Sequence, residues 1–296
     1  MRRCCSSEPL NTALRWRGRP ELASEEPLPP LPSGWVLIRV EYALWSGVEE
    51  AERQGLLWPE YGVTMGHSGA GVVVEAAETG LQGYVAPAAL CGCLPGYSCD
   101  GWLAYYTVYP AGCLEPAPRS PLASLSLPLS LACDTTRWLS AHGASKVLVL
   151  GAGAYGVATA LLLSDMGIDY TLVTSKRLRG RISRMLHASS SPGSGYDAVV
   201  VAIPAALRLP KETRLLVLHP YVAASLPAPE PGRELEAYTP RGLSNGCWRS
   251  LLTGRREVLG QVVRTVEEGG LAEPPPFLGD LAGYVIGVKA ARRAPL

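Results

Sequence analysis

The chain has 296 residues, more than one hydrophobic core comfortably serves, so two domains are expected. Its 47% of apolar residues is ample for burial and excludes a disordered chain. A formal net charge of +1 excludes an extended nucleic-acid footprint, and the expected partner is a small molecule.

The start, Met1-Arg2-Arg3-Cys4-Cys5, has basic residues with no apolar run behind them, so no secretory signal is expected. Residues from about Leu14 to Gly112 read as short strands divided by Gly- and Pro-rich turns. Leu22 to Pro32 is an acidic, proline-rich connector. Trp35 to Glu41 has strand composition behind Ser33-Gly34, Ser68 to Glu75 is a second strand, and Trp102 to Val108 a third. This half is expected to be an irregular, mostly antiparallel β domain.

The pattern changes near Ser120. Leu122 to Ala141 predicts a connecting helix broken around Pro128. Lys146 to Leu150, a glycine loop, a helical run from Val157 to Met166 and Tyr170 to Val173 then form a βαβ unit, whose crossover implies a parallel sheet. Asp197 to Ile203 and Arg214 to Leu218 are two more buried parallel strands. Val258, Val262, Val263 and Val266 recur at helical spacing up to Gly269-Gly270, and Tyr284 to Val288 closes the chain as a strand. The apolar runs are short or broken, so no membrane span is expected.

The eight cysteines follow no regular spacing. A disulfide framework is a small-domain solution, so the thiols are expected to be mostly reduced and the protein cytoplasmic. Arg far outnumbers Lys, and Asn and Gln are scarce, which fits a heat-adapted protein.

The strongest local signal is Gly151-Ala152-Gly153-Ala154-Tyr155-Gly156, directly behind a strand and opening a helix. Gly151 allows a tight turn, Gly153 lets the backbone approach a diphosphate, and Gly156 permits close helix–strand packing. The helix N-terminus supplies N–H groups and a positive dipole end for that anion. A ligand-free glycine turn and an S-adenosylmethionine site are the competing readings. The next strand runs out as Val173-Thr174-Ser175-Lys176-Arg177, with no carboxylate to repel a 2′-phosphate and with hydroxyls and cations to accept one. NADP(H) is therefore expected over NAD(H).

With this fingerprint placed mid-chain behind a β-rich half, the chain resembles the medium-chain dehydrogenase/reductase family, the zinc alcohol dehydrogenases and their quinone-reductase relatives. Four further landmarks carry the resemblance: the strand Trp35 to Glu41, Met65-Gly66-His67-Ser68-Gly69-Ala70-Gly71-Val72-Val73, Gly83-Tyr84-Val85, and Asp100-Gly101-Trp102-Leu103-Ala104-Tyr105-Tyr106. It implies an α/β protein with a GroES-like, mostly antiparallel catalytic domain over residues 1–121, completed by 247–296, and a Rossmann domain over 122–246. Commonly such proteins are homo-oligomers joined at Rossmann sheet edges, and Arg214 to Leu218 lies in the right half for one. The active site would occupy the interdomain cleft, with zinc polarising an alcohol or carbonyl oxygen.

The zinc motifs depart from the family pattern. Ser46-Gly47-Val48-Glu49 stands where the family has Cys-Gly-Thr/Ser-Asp, so the first ligand becomes a poor one and the relay hydroxyl becomes Val48. His67 keeps the second ligand position, followed by Ser68 instead of an acid. Cys133 or Asp134 matches the third, and Glu49 or Glu50 would lend a carboxylate. Ser46, His67 and Cys133 are thus the candidate catalytic residues, binding zinc or the substrate oxygen directly. Cys91, Cys93, Cys99 and Cys113 fall in the region of the structural zinc lobe, either holding zinc or forming a shortened lobe without it. The expected activity is NADP(H)-dependent hydride transfer to or from a small alcohol, aldehyde or ketone, or an activated enone or quinone. The competing expectation is a catalytically silent dinucleotide-binding member.

Overall fold

A computed structural model describes residues 10–76, 78–174, 182, 185–203, 209–225, 235–242, 246–266, 271, 278 and 281–288. The chain opens with an antiparallel hairpin, β1 (Asn11–Trp16) and β2 (Pro20–Glu26). Gly18 turns it at φ +81°, a left-handed value that glycine adopts without steric cost. Leu22 therefore lies in a strand, and the expected connector is confined to the prolines behind it.

The first large sheet has seven strands, six on its main path and one that pairs beside it, and is built around β3 (Trp35–Ser46). On one side β3 pairs antiparallel with β4 (Gly69–Ala76), which continues to β5 (Tyr84–Pro87) and β7 (Leu114–Pro116). The expected strand from Trp102 is shifted: Trp102 and Leu103 instead bond back to the carbonyls of Gly66 and Met65, and β6 spans Tyr106–Pro110. Two strands from the far end of the sequence, β14 (Val263–Val266) and β15 (Gly283–Gly287), complete this sheet through the β15–β3 pairing.

The second sheet has six strands in the order β10-β9-β8-β11-β12-β13, all parallel. They are β8 (Lys146–Leu150), β9 (Asp169–Val173), β10 (Ala188–Ser189), β11 (Ala198–Val201), β12 (Leu215–Leu218) and β13 (Glu236–Tyr238). The order reverses between β8 and β11, the switch point where open α/β sheets bind ligands beyond the carboxyl strand ends. The edge expected at Arg214 to Leu218 is interior, because β13 covers β12.

Helix α1 (Gly47–Arg53) follows β3 directly. Helix α2 (Ser126–Ala141) is unbroken at Pro128, which is its third residue, where the missing N–H has no intrahelical partner to lose. Helix α3 (Ala154–Asp165) begins three residues before the expected Val157. After the single turn α4 (Pro220–Ala223) come α5 (Cys247–Gly254) and α6 (Arg256–Val262). The valine-spaced helix ends at Val262, because Val263–Val266, three of whose four residues are β-branched, pairs with β15 instead.

The apolar core of α2, α3 and the parallel sheet runs on through Leu44, Ala70 and Ala86 of the first sheet, so the two units share a continuous interface. Among the described residues, no helix is long and apolar enough to cross a membrane.

Candidate active site

Strand β3 ends at Ser46, which is buried and caps α1. Its hydroxyl accepts from the Val48 N–H at 3.2 Å, and the Glu49 carboxylate accepts back from the Ser46 N–H at 2.8 Å. This reciprocal box fixes the Glu49 side chain. Glu49 Oε1 then accepts the His67 backbone N–H at 2.8 Å and lies 2.6 Å from His67 Nδ1, with both side chains buried. Burial alone would raise the Glu49 pKa, but the His67 charge and hydrogen bond, with the two backbone N–H donors, hold it below the usual carboxylate value. Glu49 is therefore ionised, and the Nδ1–H of His67 donates to it.

Three more buried groups lie on the line from this pair to the glycine turn. The Tyr221 ring meets His67 edge-on at 5.7 Å and stacks on His219 at 5.5 Å, and His219 in turn lies 4.7 Å from the Tyr155 ring. The Tyr221 hydroxyl donates to the Pro95 carbonyl at 2.7 Å, and the Tyr155 hydroxyl pairs with Thr135 at 2.7 Å. Nδ1 of His219 is buried with no hydrogen-bond partner. Burial, then the His67 charge, push the His219 pKa down to about 3, so its imidazole is neutral. Glu52, one turn beyond Glu49, is also buried, with Oε2 unpartnered.

The glycine turn has three distinct environments. Gly151 adopts φ +100°, and a Cβ on it would meet Ile203 Cγ2 at 2.5 Å. A Cβ on Gly156 would fall on the Gly151 carbonyl. A Cβ on Gly153 would meet no heavy atom within 4 Å, so this glycine leaves an open face at the start of α3, which has no side-chain cap. These features fit a diphosphate held by backbone N–H groups. Of the other expected cofactor residues, Ala154 opens the helix and Thr174 donates its N–H to the Ser189 carbonyl. The Tyr155 side chain turns inward to α2, away from that open face. Ser175, Lys176 and Arg177 lie outside the described residues.

The donor set expected for a catalytic zinc is not assembled. Cys133 forms a disulfide with Cys247, which withdraws the thiolate that zinc requires. Asp134 accepts from the Tyr238 hydroxyl and the N–H groups of Arg241 and Gly242. Ser46 is engaged in capping, and Glu50 bonds Arg53 and Gln54. The four lobe cysteines pair as Cys91–Cys113 and Cys93–Cys99. Among the described residues no three His, Cys, Asp or Glu side chains cluster as a metal site, so the residues present fit zinc at neither position. All six described cysteines are disulfide-bonded, against the expectation of reduced thiols.

His219, Tyr221 and Glu52 escape the sequence reading. His219 carries the clearest signal, since it directly follows the strand Arg214 to Leu218, at the end of a parallel strand where ligands bind. Glu52 becomes visible only once residues 47–53 are known to be helical, three positions after Glu49.

No family model matches the sequence, and no curated protein matches it. Solved structures do. Acetophenone reductase from Geotrichum candidum in complex with NAD is 16% identical, with a TM-score of 0.72 over 94% of this chain and 98% of that one. Glucose dehydrogenase from Haloferax mediterranei in complex with NADP, Zn and gluconolactone is 17% identical, with a TM-score of 0.66 over 95% and 99%. The cobalt- and zinc-bound thermostable alcohol dehydrogenase from Pyrobaculum aerophilum is 18% identical, with a TM-score of 0.63 over 94% and 99%. The chain has the fold of the medium-chain dehydrogenase/reductases, a GroES-like unit joined to a Rossmann unit.

Proposed function

We propose that this protein is an NADP(H)-dependent oxidoreductase that transfers hydride to or from a small alcohol, aldehyde or ketone, or an activated enone or quinone, without a catalytic zinc. The observation that carries this reading is the glycine turn: Gly151 and Gly156 are fixed by packing, whereas Gly153 is bare toward open space. A free face at an uncapped helix start is what a diphosphate needs. The structural neighbours that hold NAD or NADP support the same reading.

Gly151, Gly153, Gly156 and the first N–H groups of α3 would hold the diphosphate. Thr174, Ser175, Lys176 and Arg177 would receive the 2′-phosphate. Residues 1–121 with 247–296 would supply the substrate side of the cleft and 122–246 the dinucleotide side. When bound, the nicotinamide supplies or accepts the hydride. His67 is oriented by Glu49 through Nδ1, so Nε2 would accept from a substrate hydroxyl, or donate to a carbonyl oxygen when the ring is protonated. Val48, Leu57, Leu94 and Tyr97 pack with Tyr221 into an apolar wall that excludes water from this side. We place the protein in the cytoplasm of a heat-adapted cell, the intracellular setting in which disulfides persist. Any homo-oligomer built on the parallel sheet would use β13 in place of β12.

A second reading, a member that binds dinucleotide without turnover, is favoured by Val48 in the relay position and by the 2% exposure of His67. Both readings predict saturable binding of NADPH. They separate on a panel of aldehydes, ketones, enones and quinones: NADPH oxidation with any of them supports the enzyme, and binding without oxidation supports the silent form.

A further inference from the structure

The register of the parallel sheet places two residues on one edge. Leu150 of β8 pairs with Val201 of β11, and Val201 pairs with Leu218 of β12. The next residues of the two outer strands are therefore Gly151, which opens the diphosphate turn, and His219. They stand two strands apart, about 10 Å along the carboxyl edge of the sheet. A nicotinamide whose diphosphate sat at Gly153 and which reacted near His67 would lie along this edge.

The side chains along that passage are Tyr155, His219 and Tyr221. The two tyrosine hydroxyls are already engaged, with Thr135 and with the Pro95 carbonyl. His219 is different: it is 3% exposed, Nδ1 has no partner, and its imidazole makes no hydrogen bond to any other described residue. A buried polar atom left unpaired is destabilising, and at the carboxyl edge of a parallel sheet, where ligands bind, a bound group can supply the partner.

We propose that the His219 imidazole recognises the carboxamide of the nicotinamide ring, an inference that rests on the dinucleotide reading of the glycine turn. A neutral imidazole presents one N–H donor and one acceptor, and a carboxamide offers both complements. Burial keeps His219 neutral, so the same site disfavours a nicotinic acid analogue, whose carboxylate would enter without a compensating charge. Tyr155 and Tyr221 both pack against the imidazole, which makes His219 a specificity residue for the pyridine end of the cofactor.

The test is an equilibrium titration of wild type, His219→Phe and His219→Gln with two ligand pairs: NADP+ against 2′-phospho-ADP-ribose, and NAD+ against ADP-ribose. The second member of each pair lacks the pyridine. Phe keeps the ring contacts and removes the hydrogen bonds. The expected result is about a tenfold loss of affinity for the nicotinamide ligand in His219→Phe, with the pyridine-free ligand unchanged and partial recovery in His219→Gln. An unchanged affinity for the nicotinamide ligand, or an equal loss for both ligands, overturns the assignment. Wild-type binding of neither ligand overturns the dinucleotide reading itself, and the assignment with it.

Discussion

Glu49 grips His67 at two atoms: Oε1 accepts the His67 backbone N–H at 2.8 Å and sits 2.6 Å from Nδ1 of the same residue. The other carboxylate oxygen accepts the Ser46 N–H at 2.8 Å. Glu49→Ala leaves these buried donors unpaired and is expected to lower the unfolding free energy by about 3–5 kcal/mol. Glu49→Gln keeps an acceptor oxygen and should cost less. Urea midpoints of the three proteins check this, and an Ala variant as stable as wild type would contradict it. Because the folded Glu49 pKa lies below its ordinary 4.5, its contribution is fully present above that pH. It is lost as pH falls through the depressed value.

Glu52 has the opposite sign. Burial first, then the Glu49 charge, raise its pKa well above 4.5, so the folded state holds a proton that the unfolded state releases. Stability is then full below the unfolded value and declines as pH rises toward the folded one. Glu52→Gln, a neutral near-isostere, removes that decline. Melting temperatures of variant and wild type should coincide near pH 4 and diverge by pH 7 with the variant higher. A variant that melts lower at pH 7 would show that Glu52 is ionised in the fold.

The glycine turn separates packing from binding. Gly153→Ala adds a methyl into open space at ordinary φ, so it should change stability by less than about 1 kcal/mol while weakening dinucleotide affinity at least tenfold. Gly156→Ala drives its Cβ onto the Gly151 carbonyl, forcing the turn open at a cost of about 3 kcal/mol. Paired thermal melts and NADPH titrations distinguish the two. Equal effects on stability would remove the distinction.

The parallel sheet is legible in the sequence because runs such as Lys146–Leu150 and Asp197–Ile203 are continuous aliphatic strands around a glycine loop of fixed grammar. The edges of the first sheet are not. Tyr84–Pro87 and Leu114–Pro116 are short and end in proline, and only their partners make them strands. Val263–Val266 reads as helix until β15 is placed beside it. In the site, His67 and Ser46 are found by motif, but the capping pattern from Ser46 to Glu49 is present in the sequence and hidden beneath a zinc expectation. The His67–Tyr221–His219–Tyr155 line joins residues separated by up to 154 positions (221 − 67), which no local pattern encodes.

The disulfides carry their own test. Cys133 and Cys247 are 114 residues apart, and closing so long a loop stabilises by about 4–5 kcal/mol in the chain-entropy account. The double substitution Cys133→Ser with Cys247→Ser should lower the denaturation midpoint accordingly. Alkylation before and after reduction, read by mass, should leave Cys91, Cys93, Cys99, Cys113, Cys133 and Cys247 unmodified until reduced. Free thiols at these positions together with stoichiometric zinc in the purified protein would restore the metal sites.

In the proposed function the turn from Leu150 into α3 seats the diphosphate of a nicotinamide dinucleotide. Calorimetric titration of the wild-type protein with NADPH and NADH tests it most directly. The expected result is saturable binding of one NADPH per chain, weaker binding of NADH, and loss of both in a Gly153→Val variant that remains folded. No measurable heat or saturation with either nucleotide would contradict it.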